Sequence, residues 1–264
     1  MPRKPEAPLP AAPAGDAVTP APRGLAALRR HSDARIALGR AGSGLPTAVQ
    51  LRFALDHARA RDAVYSALDT EALAAGLLAM GLPVARLHSL VPDRAAYLRR
   101  PDLGRQVDLG DGAALAGLET DRDVLLALVD GLSAAAVNLN ALPVVEALLP
   151  LLRAEGLSVA GAVLVEQGRV AAPDAVAERL RAGCAVVLIG ERPGLSAADS
   201  LGAYLTWRAL PGTPDSRRNC ISNIRSGGLP AAAAAAKIAW LAAQMKRRQV
   251  SGIALKEAAA LPPD

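Results

Sequence analysis

Cysteine is nearly missing from this chain: among 264 residues only Cys184 and Cys220 carry thiols, too few for a disulfide framework. Aromatic residues are almost as scarce, with one Phe, two Trp and three Tyr. Single-stranded nucleic acid is held by stacking its bases on aromatic platforms, so such a partner has little to rest on here. The net charge of +5 comes from 30 basic and 25 acidic residues that are interspersed rather than gathered, and we expect no nucleic-acid partner. Long apolar runs are missing too. No segment approaches the roughly 20 uninterrupted apolar residues that span a bilayer, and the amino terminus lacks the apolar core of a signal peptide. We therefore expect no membrane partner and a cytoplasmic protein. His31, His57 and His88 stand without the H-E-x-x-H or Cys-x-x-Cys company of zinc sites, so no metal site is expected.

What the chain has instead is Ala, Leu and Val, and a core of small aliphatic side chains suits layered α/β packing. Seven of the first 23 residues are Pro, which predicts a disordered Pro/Ala-rich tail over 1–23, where these prolines would break an amphipathic helix. Residues 24–105 read as a helical subdomain, with Thr47 and Thr70 as helix N-caps. Within it Gly39, Gly42 and Gly44 mark a loop, suited either to an interface or to an anion. Residues 106–257 change character. Short apolar runs at 123–129, 158–165, 184–189 and 203–207 alternate with helical stretches at 132–153, 175–182 and 231–248. That alternation predicts a Rossmann-like, doubly wound parallel sheet of the α/β class, with the helical subdomain before it and a short tail at 258–264.

In such sheets ligands bind outside the carboxyl ends of the strands. The loops after Val129, Val165 and Ile189 should therefore converge on one crevice. Asp130 reads as the cap of the following helix, with Gly131 permitting the sharp turn. Glu166 to Val170 reads as a plain turn. Pro193 and Gly194 predict a type II turn over Arg192 to Leu195, holding Glu191 and Arg192 at the crevice mouth. For that pair a salt bridge and a ligand contact both remain open. Arg217 to Ile224 reads as a partly buried loop, and Cys220 within it has no histidine nearby to act as base, so no catalytic residue is assigned.

Six segments in register, ARIALGRAGSGLPT from Ala34, YLRRPDLGR from Tyr97, VDGLSAAAV from Val129, GRV from Gly168, IGERPGL from Ile189 and NCISNI from Asn219, resemble the small subunit of ethanolamine ammonia-lyase. The resemblance runs from about Leu28 to Leu255. It implies a large catalytic partner subunit, ethanolamine as the substrate of the complex, and adenosylcobalamin held between the chains. Homolysis of the cobalt–carbon bond would then start a radical conversion to acetaldehyde and ammonia. It also implies that Val170, Glu191 and Cys220 contact the cofactor, with Arg192 and Asn223 as further candidates and Arg40, Arg100 and Arg105 facing the partner. No Asp-x-His-x-x-Gly signature occurs, so the cofactor should keep its own dimethylbenzimidazole ligand. A stand-alone small-molecule enzyme is the alternative, and it lacks a Gly-x-Gly-x-x-Gly after any strand. The family leaves open whether the complex sits inside a bacterial microcompartment.

Overall fold

The computed structural model describes residues 18–20, 23–31 and 34–255. The expected tail at 258–264, and most of the one at 1–23, lie outside the described residues. By contacts the chain divides into two units, Met1–Ala58 and Arg59–Asp264.

In the first unit a short helix α1, Arg23–Ala27, runs into a 3-10 turn, Leu28–His31. Helix α2, Thr47–Tyr65, carries the chain onward from the predicted start. Arg35 pairs with Asp56 at 2.7 Å and lies over the Phe53 ring. The glycine-rich loop closes on itself through a bridge between Ala41 and Gly44.

The second unit opens within α2, at Arg59, and continues with α3, Thr70–Ala79, whose start is capped by the Asp69 side chain accepting from the Ala72 amide. Strand β1, Val84–His88, follows. It falls inside the stretch read as helical, because its signal is only five residues of period two: Ala85 and Leu87 are buried between exposed Arg86 and His88. After α4, Arg94–Arg99, come β2, Val124–Val129, then α5, Ala134–Ala154, and β3, Val159–Glu166. Helix α6, Asp174–Arg179, leads to β4, Cys184–Gly190, then β5, Leu201–Trp207, β6, Asn219–Ile224, and α7, Ala231–Arg248.

Among the described residues these six strands form one sheet in the order β1-β3-β2-β4-β5-β6. The first four are mutually parallel, as expected. The other two are not: β5 runs antiparallel to β4, and β6 antiparallel to β5. The sheet is therefore mixed, which corrects the reading of a wholly parallel, doubly wound sheet. The reason lies in the connections. A parallel crossover takes a dozen or more residues and usually a helix, whereas 191–200 contains no helix and 208–218 only a single 3-10 turn, Asp215–Arg217.

The segment NCISNI, read as a loop, is edge strand β6. Its pattern is obscured by a bulge, since Leu201 opposes Ile224 while Ala203 opposes Ile221, and Asn223 adopts a φ of 60°.

Alternate residues of the central strands feed two cores. Leu126, Leu128, Leu164 and Val186 pack with α3, α5 and α7 on one face. Leu125, Val163 and Val187 pack with Val176 and Leu180, from α6 and the residue after it, on the other. Each fully buried Leu or Val there contributes about 1.5–3 kcal/mol. Helix α5 is long and apolar enough to cross a membrane by length and composition, but nine of its residues are buried, eight of them in the first core. From β2 the chain passes through α5 on one face to β3, then through α6 on the other face to β4, and β3 and β4 flank β2. The carboxyl ends of β2, β3 and β4 thus meet at a topological switch point.

Candidate functional site

The loop after β2 and the end of β4 lie backbone against backbone. Leu132 donates its amide to the Gly190 carbonyl at 3.0 Å. A Cβ on Gly131, whose φ is 59°, would stand 2.3 Å from that same oxygen, and one on Gly190 would stand 2.0 Å from the Ser133 carbonyl oxygen. Only glycine permits this approach.

Asp130 does not cap α5. Ser133 does, its hydroxyl accepting from the Ala136 amide at 3.2 Å. The Asp130 carboxylate instead turns towards the loop after β3, accepting from the Gln167 amide at 2.8 Å and the Gly168 amide at 2.9 Å. The Arg94 guanidinium is 3.7 Å away. Burial pushes the Asp130 carboxyl up to about 6 despite these donors. Tyr97, fully buried, donates its hydroxyl to the Gly168 carbonyl at 3.1 Å. The Arg94 and Arg169 guanidinium groups lie 4.3 and 4.0 Å from the centre of its ring. Arg94 Nη2 and Arg169 Nε are buried without a hydrogen-bond partner.

After β4 the chain stays extended longer than predicted, because the Glu191 amide still pairs with the Ser200 carbonyl at 3.0 Å. The reversal falls at Gly194 to Ala197, and Gly194 is not left-handed, so the expected type II turn over Arg192 to Leu195 is absent. Glu191 is held by neutral donors: Ser200 Oγ at 2.5 Å, Ser222 Oγ, and the Asn223 amide at 3.2 Å. Its carboxylate thereby ties the end of β4 to β5 and β6.

These loops wall an open cavity of about 660 Å³ that includes Arg169, Val170, Ile189, Glu191, Arg192 and Tyr204. A second hollow of about 870 Å³ adjoins it, sharing Pro101, Arg105 and Asp215. Of the residues singled out from sequence, Val170, Glu191 and Arg192 line the first cavity directly. Cys220 sits beside it on β6, exposed, opposite Tyr204 on β5. Partial enclosure of the sulfur pushes that thiol up, so it is not an activated thiolate. Asn223 reaches the site through its amide, and Arg105 through the shared wall, 3.7 Å from Asp215. Arg100 is turned to Asp102, and Arg40 pairs through its backbone with Thr19.

Sequence reasoning missed Arg94, Tyr97 and Arg218. Arg218, buried on the cavity wall, grips buried Asp174 through two bonds of 2.9 and 2.6 Å and donates to the Thr213 carbonyl. No spacing rule connects residues 44 positions apart. Among the described residues no His, Cys, Asp and Glu cluster could hold a metal ion. The cavity presents a wall of arginine donors, carboxylate acceptors and small apolar side chains. Such a wall suits holding a large polar-rimmed molecule.

A family model described as ethanolamine ammonia-lyase light chain matches residues 22–256. A protein of Ralstonia nicotianae named ethanolamine ammonia-lyase small subunit is 52% identical over 244 residues, covering 89% of each chain. One of the same name from Bradyrhizobium diazoefficiens is 52% identical over 236 residues, or 88% of this chain and 90% of that one. Another, from Azotobacter vinelandii, is 49% identical over 236 residues, covering 88% and 87%.

Proposed function

The chain belongs to the ethanolamine ammonia-lyase light-chain family and is a subunit of a lyase that acts as a complex; from that premise we propose that its switch-point cavity forms one wall of an adenosylcobalamin site completed by the large subunit. The observation that supports this most is the meeting of Val170 and Glu191, far apart in sequence, on one open cavity at the carboxyl ends of β3 and β4.

The residues fit the cofactor. A corrin is a broad, flat ring with neutral amide side chains around its rim. Leu132, Val170 and Ile189 offer apolar surface to the ring. Glu191 accepts from rim amide N–H groups, and Arg192 together with the unpartnered Nε of Arg169 donates to rim carbonyls. The two adjoining hollows give length for a ligand larger than either. When bound, the cofactor supplies a cobalt–carbon bond that breaks homolytically, the source of the radical for converting ethanolamine to acetaldehyde and ammonia. This chain's residues orient that group and exclude water from one side, while the partner holds the substrate.

Mixing the chain with an ethanolamine ammonia-lyase large subunit and adenosylcobalamin should give ammonia release that neither chain supports by itself. Full turnover by the large subunit alone, or by this chain alone, would overturn the reading.

A further inference from the structure

We propose that Asp130 is a positioning residue, whose buried carboxylate fixes the loop after β3 and so sets Arg169 and Val170 on the cavity wall. The inference rests on the reading of that wall as a cobalamin site. It starts from an unusual choice of residue. Asp130 is 2% exposed, and a buried carboxylate is unfavourable unless its position gains something. Rather than serving its own helix, it crosses to the neighbouring strand and takes two consecutive amides, those of Gln167 and Gly168.

The held segment is strained. Gln167 is a non-glycine residue at a φ of 52°, a conformation that persists only when its surroundings over-determine it. They do so here from every side. The Gln167 carbonyl accepts from Ser89 Oγ at 2.7 Å, and its side-chain oxygen accepts from Arg94 Nη1 at 3.3 Å. Gly168 is gripped at both ends, by Asp130 at its amide and by the Tyr97 hydroxyl at its carbonyl, and a Cβ there would stand 2.5 Å from Val129. The Arg169 amide then donates to the Gly104 carbonyl at 2.6 Å, and its guanidinium to the Tyr97 carbonyl at 3.0 Å. Three amides in succession are thus fixed before the chain reaches Val170. An asparagine at 130 would offer one acceptor oxygen to two donors and turn an N–H towards the other.

The test compares Asp130→Asn with Asp123→Asn, at the opposite end of the same strand, in the full chain. In the free protein the Gln167 and Gly168 amides of Asp130→Asn should exchange with solvent at least tenfold faster, read by NMR. In the complex with the large subunit, its dissociation constant for cyanocobalamin should rise tenfold or more by equilibrium dialysis. Asp123→Asn should lower the melting temperature but leave that constant within twofold. Unchanged exchange at the two amides would overturn the inference whatever the cofactor does. Faster exchange with unchanged cobalamin affinity would also overturn it, provided Val170→Asp weakens binding in the same assay. If Val170→Asp has no effect either, the cavity reading itself is what fails. Should Asp130→Asn not fold, Tyr97→Phe removes only the bond to the Gly168 carbonyl, and the same readouts should move in the same direction by two- to fivefold; no movement would overturn the inference.

Discussion

Asp123 and Asp130 bracket strand β2, and each reaches across to a segment flanking β3. At the amino end Asp123 accepts from the Ser158 amide and hydroxyl, both at 2.8 Å, and pairs with Lys246 at 2.8 Å. Burial there works to raise the Asp123 carboxyl, but Lys246 and the Ser158 donors outweigh it and hold the group below its usual range. At the carboxyl end Asp130 is more deeply buried, its cation stands off at 3.7 Å, and burial prevails over its amide partners. One residue type on one strand gives opposite electrostatics. The amino end is arranged for stability, with a charge paired at bonding distance. The carboxyl end keeps an unfavourable charge because its geometry is needed beside the cavity, the usual relation between a fold and its functional site.

The largest test of this contrast uses glycine. At the carboxyl end, Gly190→Ala would place a Cβ 2.0 Å from the Ser133 carbonyl oxygen and 2.6 Å from that of Asp130. Backbone must move, and we expect a loss of about 3 kcal/mol or more. At the other end Gly156, with φ 68°, has nothing within 4 Å of an added Cβ. Gly156→Ala should lose only about 1 kcal/mol, the strain of a left-handed alanine. Urea unfolding of both variants checks this, and equal losses would erase the difference in packing between the ends.

How much of that contrast was legible beforehand depends on the scale of the signal. The apolar runs of β2, β3 and β4, and with them the meeting of three loops, could be read directly, because strands buried on both faces announce themselves as continuous aliphatic stretches. Strand β1 could not, since half its residues face solvent and five residues of alternation are easily taken for helix. The antiparallel edge was available in principle: ten residues between Gly190 and Leu201 without a helix cannot cross over a sheet. Asp130 was misread because Asp and Ser are both good caps and Asp130 stands only three residues before Ser133. Which one caps is decided by β3, a strand that lies thirty residues further on. Glu191 lines the cavity without the expected type II turn, and its three donors come from Ser200 beside β5 and from β6, which local pattern had not recognised as neighbours.

A middle-sized effect separates the ends of the antiparallel edge. Glu191→Gln leaves one acceptor oxygen for donors from Ser200, Ser222 and Asn223, and about 1–2 kcal/mol of stability should go with it. Ser251→Ala at the far end of β5 removes a hydroxyl that accepts from the Trp207 amide and donates to the Arg217 carbonyl, a comparable loss. The two should part in cyanocobalamin binding by the complex, where Glu191→Gln weakens retention and Ser251→Ala does not. A parallel loss of affinity in both would make Glu191 a strut and nothing more.

The smallest effect is the most direct reading of the two aspartates. Folding raises Asp130 from 3.8 to about 6, so the stability it contributes is fully present below 3.8 and is lost as pH rises through about 6. Asp123 is shifted the other way, so its contribution is present above 3.8 and is lost only as pH falls below that value. Between pH 7.5 and 5 the wild type should therefore gain about 1 kcal/mol relative to Asp130→Asn, which cannot take up that proton. Its margin over Asp123→Asn should stay level through the same interval and close only in stronger acid. Urea titrations of the three proteins at stepped pH measure both margins. A flat margin for Asp130→Asn would mean that the buried carboxylate ionises as easily in the fold as in water, and the two ends of β2 would then no longer be shifted in opposite directions.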